Sequence, residues 1–267
     1  MGGDLYHKGS EINAKRLGIP HRSTQTAMGT FVFAAAVKAP QETTIGKGES
    51  MKESKLLCLV LAALTALFIL TAAIAAPILL RPFYYAHIAP LHLEQTTGLS
   101  RAQIINAYDE VMDYCTGRTQ VFSAGGLAYS QIGRAHFIDV RQLFRLDLWA
   151  AALSGLALLG WTLLRPLVRI RPCRFRKRGF LFWGSTGLGT AILCVGGLAA
   201  LDFERAFVVF HLLFFPGKDN WLFDPRFDAV IRILPQVFFR NCALFILLLI
   251  VALCAACILL DKKKTAA

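Results

Sequence analysis

His136, in the stretch "HFIDVRQLF", and His211, in "DFERAFVVFHLLFF", are the side chains in this sequence best suited to move protons near neutral pH. An imidazole, with a reference pKa of about 6.5, can take a proton in one step and return it in another, and a carboxylate beside it can orient the ring. Asp139 follows His136 by one helical turn. Glu204 and Phe207 share a face with His211 if that segment is helical, because seven residues make nearly two turns, and Asp202 lies just upstream. Spacing alone leaves a packed interfacial histidine as good a reading as a catalytic one. His87 and His92 flank Pro90 with no further pattern and read as packed or snorkelling residues, and His7 and His21 lie in a polar tail.

The elements that must hold these residues follow from composition. The chain has 267 residues, 55% hydrophobic and only 17% charged, too apolar for an ordinary soluble domain. Runs at Leu56–Leu80, Leu146–Leu164, Phe180–Leu201 and Val237–Leu260 are each long enough to cross a bilayer of about 30 Å. They lack the alternation of a membrane barrel, so the spacing predicts four transmembrane helices. "TAAIAAP" at the end of the first run resembles a cleavage site, but the run exceeds a signal-peptide core and reads as a retained anchor. His136 then precedes the second run, and His211 follows the third.

Charge sets the orientation. The loop over residues 165–179 carries Arg165, Arg169, Arg171, Arg174, Arg176, Lys177 and Arg178 without an acidic residue, which marks it as cytoplasmic, together with both ends of the apolar region, "MKESK" and "DKKK". Residues 81–145 and 202–236 hold ten basic and ten acidic residues between them and should form an extracytoplasmic cap. The net charge of +12 is thus a topology signal rather than a nucleic-acid footprint, with contact to anionic membrane lipid as the alternative use of the basic loop. The seven cysteines are scattered, Cys115 alone in an outer segment, so no disulfide is expected, and the Cys254-x-x-Cys257 pair reads as small apolar filler. Gly196 and Gly197 suggest helix packing at most.

Within the cap, "LSRAQIINAYDEVMDYCTG" reads as a surface helix with Ser100 as N-cap, Gln103 completing a capping box and Gly117 as the stop. "RTQVFSAGGLAYSQIG" reads as two short strands or a hairpin broken at Gly125-Gly126. "PGKDNWLFDP" is turn-rich, and its Trp221 suits an interfacial anchor. Residues 1–50 differ in composition from everything after Met51 and read as a disordered tail or an extended start, with 51–267 as one membrane domain. The expected class is an all-α polytopic membrane protein with four spans and a small cap containing a surface helix and short strands.

The blocks "HFIDVRQLF" and "FHLLFFPGKDNWLFDPRFDAVIRILPQVFF", with "AYDEVMDY" upstream, resemble the lipoprotein intramolecular transacylase family of Gram-positive bacteria. The resemblance runs from Met51 to the last helix, with Phe137 in place of an expected Met and Gln236 in place of an expected acid. It implies a membrane enzyme that moves the sn-2 acyl chain of a diacylglyceryl-cysteine lipoprotein to the cysteine's α-amino group, giving a lyso-form product. It also implies catalysis by His136 and His211, supported by Asp139, Glu204, Trp221 and Asp224, with no cofactor and no metal. The chemistry agrees: the substrate's own amine attacks, so no enzyme nucleophile is required, and ester-to-amide exchange needs no separate acyl donor. The competing readings are a metal-dependent hydrolase with His136, Asp139 and His211 as ligands, and a non-enzymatic membrane scaffold or transporter subunit. A larger apolipoprotein N-acyltransferase is excluded by the shortness of both outer segments.

Overall fold

The structure is a computed structural model that describes residues 51–266; the tail expected over 1–50 lies outside the described residues. In chain order the elements are β1 (Lys52–Ser54), α1 (Lys55–Leu79), α2 (Arg81–His87), α3 (Leu93–Thr97), α4 (Arg101–Thr116), α5 (Gln131–Leu164), β2 (Ile170–Pro172), α6 (Phe180–Leu201), α7 (Phe203–Phe214), a 3-10 turn (Ala229–Ile233) and α8 (Gln236–Ala266).

Among the described residues four helices, α1, α5, α6 and α8, are long and apolar enough to cross a membrane. Helix α1 is the hub and packs against the other three, while α6 also packs on α8. The most apolar window of α1 is 28% buried, but those of α5, α6 and α8 are only 6, 11 and 11% buried, as expected where lipid rather than protein covers the apolar surface. The tightest helix approach is at Gly184, where a Cβ would overlap the Ala62 carbonyl of α1. Gly197 faces open space and Gly196 makes ordinary contact with Leu247, so the packing glycine is one the sequence did not single out.

At the basic end of the bundle β1 and β2 pair in parallel, Lys52 opposite Ile170 and Ser54 opposite Pro172. Asp261 of α8, buried, accepts from the Gly179 amide and pairs with Arg174, which closes the basic loop against the helix ends.

The other end carries the cap. Helix α4 has the expected capping box and a left-handed Gly117 at its stop, and it buries Ile104, Tyr108, Val111 and Cys115. These pack with Tyr84 and Ile88 of the α2 region, Phe137 of α5, and Val230 and Ile233 of the 3-10 turn. The Tyr84 and Tyr108 rings stack with centroids 3.7 Å apart, and the Tyr84 hydroxyl donates to the Ile233 carbonyl at 2.7 Å. Arg81 braces α2 against α4 by pairing with Asp109 and Asp113.

The hairpin expected after Gly117 is not formed, and the strands lie at the basic end instead. Residues 118–130 run as turns and extended chain over α4. Glu110 accepts from the Gly125 amide at 2.7 Å and from the Ser123 hydroxyl, so a side chain meets the backbone needs that a ladder would have met. Those bonds also hold its carboxyl below the usual carboxylate range. Gly125, at φ +60°, lies so close to Ala107 that no side chain fits there. The second difference concerns α5, which begins at Gln131 rather than Leu146: Ser130 caps it by accepting from the Gly133 amide at 2.9 Å.

Candidate active site

His136 sits in the second turn of this 34-residue helix α5 and His211 in the last turn of α7. Each is 6% exposed. Their ring centroids are 5.8 Å apart, a separation that one small reacting group can bridge. Aromatic rings surround both: Phe215 and Phe223 approach His136 edge-on at 5.0 and 5.4 Å, while Trp221 stacks on His211 at 4.6 Å and 26°. Phe207 lies 4.3 Å from His211 on its other flank. Trp221, expected as an interfacial anchor, is therefore part of the wall of the histidine pair.

The two rings are held differently. His211 Nδ1 lies 2.7 Å from the Phe207 carbonyl one turn back. A carbonyl only accepts, so Nδ1 carries the proton and, in the neutral ring, the lone pair is on Nε2. Burial holds the His211 pKa below the ordinary histidine range, with the Phe207 carbonyl opposing the shift. His136 Nδ1 is buried with no hydrogen-bond partner among the described residues.

The carboxylates expected to orient these rings do other work. Asp139 does not bond His136; it accepts from Lys218 Nζ at 2.5 Å and from Asn220 Nδ2 at 2.9 Å, which fastens the segment after α7 to α5. Asp202 caps α7 by accepting from the Arg205 amide at 2.9 Å, and Glu204 lies exposed in the first turn of α7. Neither is bonded to His211, whose Nδ1 the backbone already occupies. Asp224 pairs with Arg226, which holds its carboxyl down to about 2, and it makes no hydrogen bond with either histidine. Its carbonyl accepts from the Phe227 and Asp228 amides and so shapes the turn.

Two features went unmarked in the sequence. Asp228, 4% exposed, accepts from the Ser130 amide at 2.7 Å and from its hydroxyl at 3.1 Å, locking the start of α5 to the segment that carries Trp221. Gly133 makes room for that carboxylate, since a Cβ there would overlap Asp228 Oδ1. The other is the spacing Phe-x-x-x-His, in "FVVFH" and again in "FYYAH", where His87 Nδ1 meets the Phe83 carbonyl at 2.6 Å in the same way. Among the described residues no group of three His, Cys, Asp or Glu side chains is placed to hold a metal ion, so His136, Asp139 and His211 do not assemble the ligand set of the hydrolase reading.

A bundle of four apolar helices, with two buried imidazoles facing each other where the bundle meets its cap, defines a multi-pass membrane protein. A family model described as "Lipoprotein intramolecular transacylase Lit" matches residues 59–239. The chain belongs to this family of membrane transacylases. It is similar to the solved structure of the membrane-integral Lit from Bacillus cereus at 28% identity and a TM-score of 0.69, covering 79% of this chain and 97% of that one. Two further structures of the Bacillus cereus protein, with one histidine changed to arginine or to alanine, match at 27% identity with TM-scores of 0.64 and 0.65 and cover 94 and 95% of their chains. No curated protein matches this chain.

Proposed function

We propose that this transacylase moves the sn-2 acyl chain of a diacylglyceryl-cysteine lipoprotein to the α-amino group of the same cysteine, with His136 and His211 as its proton-transfer pair. The observation that carries this reading is the pair of buried imidazoles at 5.8 Å, one of them held in a single tautomer by a backbone carbonyl.

The substrate's α-amino group, with a pKa near 8, is mostly protonated at neutral pH and attacks an ester only as the free amine. His211 Nε2, with its lone pair directed away from Phe207, takes that proton. The amine then adds to the ester carbonyl, its nitrogen gives up a second proton to His136, and the tetrahedral adduct collapses to the amide as the glycerol oxygen leaves; of the two protons taken from nitrogen, one goes to that oxygen and the other to solvent. A proton must reach that oxygen as the C–O bond breaks. A buried imidazolium is a stronger acid than a solvated one and gives its proton up readily, with His136, whose Nδ1 has no other partner, passing it on. Trp221 and the phenylalanines exclude water, which would otherwise compete with the amine for the ester. The reaction uses no cofactor and no second acyl donor.

The basic loop at the opposite end supports a cytoplasmic location for that end, which puts the cap and both histidines at the outer face, where a lipoprotein anchor lies. Residues 51–267 act as one membrane domain, and residues 1–50 take no part. Expression in a bacterium that makes diacylated lipoproteins tests the reading: peptide mass spectrometry should show N-terminal cysteines acylated on nitrogen and lacking one ester chain. Free amino termini despite abundant protein in the membrane would refute it.

A further inference from the structure

On the far side of α5 from the histidine pair lies a recess of about 430 Å³, lined among others by Gly117, Arg141, Arg145, Leu148, Trp149 and Ala152. Arg145 is nine residues from His136, two and a half helical turns, so the recess faces away from the candidate active site. Its residues are graded along the helix axis, with two arginines one turn apart at the top and Leu148, Trp149 and Ala152 below. No carboxylate is among the lining residues.

Depth gives the grading its meaning. From Arg145 to Leu164, the end of α5, the rise is about 28 Å at 1.5 Å per residue, close to the hydrocarbon thickness of about 30 Å. Arg145 therefore lies at the headgroup level, Arg141 about 6 Å above it, and Ala152 about 10 Å below, among the acyl chains. The two guanidiniums differ in what they have left to offer. Arg141 donates to the Thr119 carbonyl and to Gln120 Oε1, each at 2.9 Å, and lies over the Tyr114 ring, so the cap fixes its position. Arg145 is exposed and makes no hydrogen bond or ion pair with any described residue. Its side chain runs beside the stop of α4, where a Cβ on Gly117 would meet Arg145 Cδ in ordinary contact at 3.7 Å. A fixed cation, a free cation one turn deeper and an apolar wall below them match an anion that carries a hydrocarbon tail.

We propose that this recess binds an anionic phospholipid, its phosphate between Arg141 and Arg145 and the start of an acyl chain against Leu148, Trp149 and Ala152. The site is separate from the transacylation chemistry and would tie the cap, through Arg141 and the 117–120 loop, to the lipid around it. Native mass spectrometry of the full chain purified in mild detergent tests it, with phosphatidylglycerol, phosphatidylcholine and inorganic phosphate as probes. Phosphatidylglycerol should be retained, and Arg145→Gln should weaken that retention by roughly tenfold, the ratio for one charged hydrogen bond. Because Arg145 makes no bond within the protein, this variant keeps the fold, and Arg145→Lys should recover part of the binding. Arg134→Gln, which removes an exposed charge from the same end of α5, should leave retention unchanged. Three results would each overturn the proposal: undiminished retention in Arg145→Gln, equal retention of phosphatidylcholine, or displacement of the lipid by inorganic phosphate at matched concentration, which would mark a site for the free ion.

Discussion

The two segments that build the cap are made on different plans. Residues 81–145 supply most of one core, in which the stacked Tyr84 and Tyr108, Ile88, Ile104, Val111 and Phe122 are all within 2% of full burial, and His136 stands on the long helix that leaves this block. Residues 202–236 bury less and enter that core mainly through Val230 and Ile233. Val209, Leu212, Leu213, Leu222 and Phe227 are exposed, and the segment is fastened by discrete polar bonds: Lys218 and Asn220 to Asp139, Ser130 to Asp228, and Tyr84 to the Ile233 carbonyl. One histidine is thus carried by a packed block and the other by a strap held at a few pins. Packing resists displacement over a whole surface, whereas a strap is lost one pin at a time.

The largest expected effect treats the halves as equal. If the pair acts as one unit, His136→Ala and His211→Ala should each lower turnover by roughly 10² to 10⁴, the range for general acid–base groups. The double variant should be scarcely worse, because groups acting together are non-additive. His87→Ala and His92→Ala serve as controls and should keep most activity. Lyso-lipoprotein formation at matched protein level decides this: near-normal turnover in either member removes it from the mechanism, and multiplicative losses would mean two independent roles.

The next experiment separates the halves. Asp228→Ala leaves the Ser130 amide without its partner, a loss of about 1–3 kcal/mol. If the strap is held by pins, protease cleavage within residues 215–228 and loss of turnover by about tenfold should appear while the thermal midpoint of the block around Tyr84 moves little. Unfolding of both segments together would show that they form one cooperative unit.

A smaller effect follows from pH. Burial disfavours the charged form of His211, so between its lowered pKa and about 6.5 the folded protein binds fewer protons there than the unfolded chain does. Its contribution to stability is complete above pH 6.5 and is lost as pH falls through that window. The same sign governs activity: the base stays neutral from pH 7.5 down to about 6.5, and turnover should fall only below that. A fall with its midpoint at or above pH 6.5 in the rate profile, absent in His211→Ala, would show that the strap leaves this ring solvated. The smallest expected effect is none at all: deleting residues 1–50 should leave insertion and turnover unchanged, and lost activity at equal abundance would give the tail a role.

What could be read from the residues depended on how local the determinant is. The capping box at Ser100 and Gln103 and the Gly117 stop are set by neighbours within one turn and lie where the sequence predicts, and each of the four apolar runs falls in one long helix, although α5 starts fifteen residues before its run. That His136 and His211 come together at one end of the bundle was also legible, since each adjoins an apolar run. Their partners were not. Pairing each histidine with its nearest carboxylate overlooked the backbone as an acceptor, and Phe207 supplies a carbonyl at the helical spacing that Glu204 cannot match. Asp139 and Asp228 are matched to Lys218 and Ser130 across 79 and 98 residues, which no local pattern encodes. The hairpin failed for a related reason, because Glu110, from a neighbouring helix, satisfies the loop.

The bond from the Tyr84 hydroxyl to the Ile233 carbonyl sets the timing of assembly. It joins groups 149 residues apart, and at about 5–20 residues per second the ribosome needs roughly 7 to 30 s to synthesise that interval. Tyr84 and Tyr108 are both synthesised well before the residue that closes over them. Until the chain has passed Ile233 the block lacks its lid, although Lys218, Asn220 and Asp228 have by then been made and can pin the strap to Asp139 and Ser130. A nascent chain stalled in its third span therefore has His136 without His211, and the proposed pair forms only once the chain beyond that span has been made.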